Sequence, residues 1–81
     1  MKANQIAAIK KLEAAFLSCK RAGLTMCGID DSLFVTVDDD EFEDEVRAIS
    51  GPEAMLSRSN SGHQGTDTVK TYGVYRDSGA T

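Results

Sequence analysis

Residues 24–37, LTMCGIDDSLFVTV, place two short apolar runs on either side of the turn formers Asp30, Asp31 and Ser32. In extended backbone, successive side chains point to opposite faces. Leu24, Met26 and Gly28 therefore share one side, and Thr25, Cys27 and Ile29 the other. Past the turn, Leu33, Val35 and Val37 alternate in the same way with Phe34 and Thr36. The pattern predicts an antiparallel β-hairpin, although it lacks the Asn-Gly or Asp-Gly pair that signals such turns most strongly.

Upstream of the hairpin, residues 4–22 read as an amphipathic helix. Ile6, Ile9, Leu12, Phe16 and Cys19 recur at steps of three and four and stack on one face. Ala7, Ala8, Ala14 and Ala15 add helix propensity, and Asn4 is the expected N-cap. Lys20 and Arg21 suit the negative end of the helix dipole, and Gly23 suits the left-handed position that ends it.

Downstream, Phe42, Val46 and Ile49 fall at helical steps, so 41–49 reads as a short helix, with extension of the second strand as the alternative. Gly51-Pro52 is expected to end it, with one further turn over PEAML. Residues 57–68, SRSNSGHQGTDT, hold no aliphatic or aromatic side chain and read as a flexible loop. TVKTYGVYR, 68–76, is expected to be a strand with Tyr72 and Val74 on one face, and 77–81 a loose C-terminal tail. The order is α-β-β-(α)-β, and the simplest packing is a single α+β domain over 1–81. In it the long N-terminal helix lies on a small antiparallel sheet of about three strands.

Size bounds the function. A chain of 81 residues is one small domain with a thin core and little room for a deep, walled active site. No apolar run reaches the roughly 20 residues needed to span a bilayer, and no apolar segment follows Lys2 as in a secretory signal. Two cysteines are too few for a disulfide scaffold. A cytoplasmic protein with no membrane partner is expected.

Charge is laid out in blocks. Residues 1–23 carry Lys2, Lys10, Lys11, Lys20 and Arg21 against Glu13 alone, whereas 30–45 carry nine anions and no cation. Seven of those anions occupy the eight positions 38–45: Asp38, Asp39, Asp40, Glu41, Glu43, Asp44 and Glu45, interrupted by Phe42. An EF-hand reading fails, because a loop starting at Asp38 puts Phe42 at its fifth position and Glu43 where glycine is needed. Cys19, Cys27 and His63 are too few and too scattered for zinc, and a Ser/Gly loop does not hold His63 as a catalytic base. SGHQG lacks the spacing and the Lys-Ser/Thr of a phosphate loop. Acidic balance also argues against direct nucleic-acid binding by the helix cations.

The expectation is a non-enzymatic protein with no cofactor, metal or catalytic residues. Its partner-binding residues are the seven carboxylates from Asp38 to Glu45, which dock on a basic surface of another protein. That surface can be one that ordinarily holds nucleic acid, with carboxylates standing in for phosphates. In length and charge the chain resembles small phage-encoded inhibitors, including anti-CRISPR proteins, over its whole length and without a shared motif. The alternatives are a self-associating homodimer, with the basic helix of one copy against the acidic segment of another, and a small metal-binding protein.

Overall fold

A computed structural model describes residues 1–77. Its elements are α1 (Ala3–Arg21), β1 (Leu24–Ile29), β2 (Ser32–Val37), α2 (Asp40–Ala48), α3 (Gly51–Asn60) and β3 (Thr66–Val69). The three strands form one antiparallel sheet in the order β1-β2-β3. The molecule is therefore α+β with a long N-terminal helix, as the sequence pattern predicts.

The hairpin is tighter than expected. Ile29 pairs with Ser32, so the turn is Asp30-Asp31 alone and Ser32 belongs to the strand. Both aspartates have positive φ, +50° and +63°, as a two-residue type I′ turn requires. Aspartate tolerates that region better than most residues, which is why the turn forms without glycine. Pairing of Leu24 with Val37, Met26 with Val35 and Gly28 with Leu33 puts these six side-chain positions on one face. Cys27, Ile29, Phe34 and Thr36 take the other.

Two helices cover that second face. Phe42 of α2 and Ala54 and Met55 of α3 are buried there, against Cys27, Ile29, Phe34 and Val46. α2 starts on Asp39, whose Oδ1 accepts the Phe42 N–H at 2.8 Å. α3 starts on Ser50, whose hydroxyl accepts the Glu53 N–H at 3.2 Å. Here Gly51-Pro52 opens a new helix of ten residues and does not merely close the preceding one. Proline fits the first turn, where its missing N–H has no intrahelical partner to lose. Ile49 caps α2 at its C-terminus and is half exposed, outside the stripe that Phe42 and Val46 form.

α3 also corrects the loop expected over 57–68. Ser57–Asn60 is helical and Thr66–Thr68 is already in β3, which leaves 61–65 as the connection. Arg58 accounts for the helical end: it lies one turn after Ala54 on the same face and is buried at 3% exposure. Thr66 accounts for the strand, since its hydroxyl meets that of Thr36 at 2.8 Å across the β2–β3 pair. The last strand consequently ends at Val69, and Tyr72 and Gly73 take positive φ in a turn. Tyr72 and Val74 are both almost fully exposed and share no strand face. The tail assigned to 77–81 lies, beyond Asp77, outside the described residues.

α1 runs over the first face of the sheet, in contact with β1. It begins one residue before the expected cap. Lys2 occupies the N-cap position, and its backbone N–H donates to the Gln5 side chain at 2.7 Å. Gly23, at φ +76°, ends the helix as expected. No residue of α1 is fully buried.

Candidate functional site

The acidic segment begins where β2 leaves the sheet and continues through the first two turns of α2. Carboxylates at a helix N-terminus face the positive end of its dipole, so the chain gains locally by placing Asp39, Asp40, Glu41 and Glu43 there. This local gain explains why the segment is helical despite its crowding of like charge. Asp38, Asp40, Glu41, Glu43 and Asp44 are exposed, whereas Asp39 and Glu45 are half-buried.

Asp39 turns inward. Its Oδ1 accepts from Arg58 Nη2 at 2.5 Å as well as from the Phe42 N–H. Those hydrogen bonds, Arg58 first and the Phe42 amide second, hold the Asp39 carboxyl below the usual carboxylate range. Arg58 Nη1 donates to Thr36 Oγ1 at 3.1 Å and to the Val37 carbonyl at 3.2 Å, and its guanidinium lies 4.9 Å from the Phe42 ring centre. Thr36, with no exposed surface, meets Thr66, and Thr66 meets His63 Nδ1 at 3.1 Å. His63 Nδ1 also accepts the Gly65 N–H at 3.0 Å. His63 thus braces the 61–65 connection.

The other six carboxylates are placed differently. Asp44 pairs with Arg47 at 3.5 Å, one helical turn away, with both side chains about three-quarters exposed. Such surface pairs are screened and contribute little. These two, Asp39–Arg58 and Asp44–Arg47, are the ion pairs among the described residues. Asp38, Asp40, Glu41, Glu43 and Glu45 have none. Instead, Asp38 beside Glu43 is the largest influence raising the Glu43 carboxyl above its ordinary value, with Arg47 opposing it to a lesser degree. Two acids are held together at a cost in like-charge repulsion.

The residues tested for metal or catalytic chemistry do not converge. Cys27 faces the α2–α3 core, while Cys19 on α1 borders the opposite face of the sheet; both are free thiols. Burial, and secondarily Asp77, raises the Cys27 thiol. Among the described residues no group of three or more His, Cys, Asp or Glu side chains could hold a metal ion. No described helix is long and apolar enough to cross a membrane. No family model, curated protein or solved structure matches the chain.

Sequence reasoning missed the buried Arg58 network, because Ser57–Asn60 is polar enough to read as loop. The usable signal was the four-residue step from Ala54 to Arg58, which puts both on one face once the helix is extended.

Proposed function

We propose that the protein is a non-enzymatic acidic interaction module that docks α2 and the residue before its cap on a cation-rich surface of a partner protein. The observation that carries this reading is that Asp38, Asp40, Glu41, Glu43 and Glu45 crowd the start of α2 with no ion pair among the described residues, Arg47 pairing with Asp44 and acting on Glu43 only as a lesser influence. An incoming arginine or lysine relieves that repulsion, so the differential favours the bound state. Asp40 and Glu41 on the first turn and Asp38 just before it extend the same negative surface. Surfaces that ordinarily hold nucleic-acid phosphates have the matching charge, and carboxylates at helical spacing can compete for them. Asp39 supports the surface from within by fixing the start of α2.

The experiment is capture of a partner by the full chain, followed by kinetics. The variant carries Asp40→Asn, Glu41→Gln, Glu43→Gln and Asp44→Asn and keeps Asp39. Its on-rate for the captured partner is expected to fall about tenfold or more, as lost electrostatic steering implies. Capture at the wild-type rate by a folded variant removes the reading.

A further inference from the structure

The sheet face opposite the acidic helix raises a separate question. α1 covers that face only in part, and its apolar side chains Ile6, Ile9, Leu12, Phe16 and Leu17 are each 41–56% exposed. Between α1 and the chain that follows β3 lies a groove of about 520 Å³, bordered by Leu12, Phe16, Leu33, Val69, Val74 and Tyr75. A second groove of about 270 Å³ adjoins it, where Ala15 and Cys19 face Leu24, Met26 and Val35. Among the described residues, Lys70 is the single charged one bordering either groove.

The exposed area exceeds that of an average folded monomer of this mass. A compact 8.7 kDa protein exposes about 4,700 Å² by the mass scaling of folded monomers. This chain exposes 6107 Å². Residues 78–81 can contribute at most roughly 500 Å² of the difference on the unfolded-chain scaling. Roughly 900 Å² remains, against about 800 Å² per partner in a standard stable interface. The radius of gyration agrees: 14.1 Å against about 11.7 Å for a compact domain of this length. Among the described residues the buried apolar core is only Phe42, Ala54 and Met55, and chains with so thin a core are commonly completed by oligomerisation.

We propose that this face is a homodimer interface, in which the Leu12–Phe16 ridge of one copy enters the groove beside α1 of the other. A ridge lying next to its own receptor groove meets the requirement for a two-fold contact, because the same patch then serves both copies. A centre almost free of charge matches the buried middle of homodimer interfaces. The pairing differs from contact between basic helix and acidic segment: it is apolar, and it leaves both α2 surfaces facing outward on the far side of the sheet. The dimer therefore presents two acidic faces.

The full chain is expected to sediment at twice the 8.7 kDa chain mass, with a melting temperature that rises with protein concentration. Phe16→Glu and Leu12→Glu are expected to abolish the dimer, while Ile49→Glu, far from the groove, leaves it intact. Where the α1 variants fail to fold alone, the wild type is decisive: mixed-label NMR is expected to show Phe16 of one copy against Val69 or Val74 of the other. A monomeric mass up to near-millimolar concentration with a concentration-independent melting temperature overturns the proposal. So does a dimer that survives both α1 substitutions, or one whose intermolecular contacts lie on α2.

Discussion

Asp39 shows how one side chain in a run of seven acids can differ from its neighbours. It caps α2 and neutralises a buried guanidinium; the pairing with Arg58 needs the ionised carboxylate, and ionisation strengthens the cap. Its pKa is lowered in the fold, so the native state binds fewer protons than the unfolded chain as acid is added. The resulting stability is fully present above the unfolded value, near about 4, and is lost as pH falls through the lower folded value. Acid unfolding followed by circular dichroism is expected to show this loss in the wild type, and Asp39→Asn is expected to flatten it; an unchanged curve for Asp39→Asn would overturn this assignment. Glu43 has the opposite sign, because a carboxyl raised by Asp38 destabilises the fold once it ionises. Glu43→Gln should therefore melt at a higher temperature than the wild type at neutral pH, and a lower melting point would remove the Asp38–Glu43 contact as its cause. Met55, fully buried in the cluster with Phe42 and Ala54, is a costly truncation: Met55→Ala is expected to lose about 2–5 kcal/mol in denaturant unfolding.

At the level of elements, the hairpin and its partner chain are held by a close approach. A Cβ on Gly28 would stand 1.5 Å from the Tyr75 hydroxyl oxygen, so the Tyr75 ring can rest against β1 in this position only because residue 28 has no side chain. Asp77, whose N–H donates to the Asp31 carboxylate, ties the same segment to the turn. Gly28→Ala is expected to cost about 1–3 kcal/mol by displacing the ring. In a double-mutant cycle with Tyr75→Ala the two effects should be far from additive, and simple additivity would show that the ring does not rest there. These elements also show what the sequence made legible. α1 and the hairpin follow from periods of three to four and of two, which survive in any tertiary context. The end of α3 and the start of β3 do not, because Arg58 and Thr66 are polar residues buried by one another's hydrogen bonds through Thr36. A hydropathy pattern assigns such residues to solvent, and only the assembled contact shows otherwise. The same limit applies to the acidic run, where spacing revealed the crowding but not that Asp39 would turn inward to meet Arg58.

On the scale of the whole molecule, the sheet separates two surfaces of different physics, and ionic strength distinguishes them. α2 presents unneutralised carboxylates on one side, and α1 with the groove beside it presents apolar area on the other. Between exposed charges, the Debye length shrinks from about 10 Å at 0.1 M salt to about 3 Å at 1 M. Association through α2 should therefore slow steeply as salt rises, chiefly through the on-rate. The α1 contact depends on removing apolar surface from water, which excluded salts such as sulfate strengthen. Sedimentation across a sulfate series is thus expected to show the dimer persisting or tightening. Over the same series, the on-rate for a basic partner should decline with a slope that the α2 carboxylate variant makes shallower. A dimer that dissociates with added salt would assign self-association to the acidic and basic blocks of the chain, and α1 would then need another explanation for its exposed leucines and isoleucines.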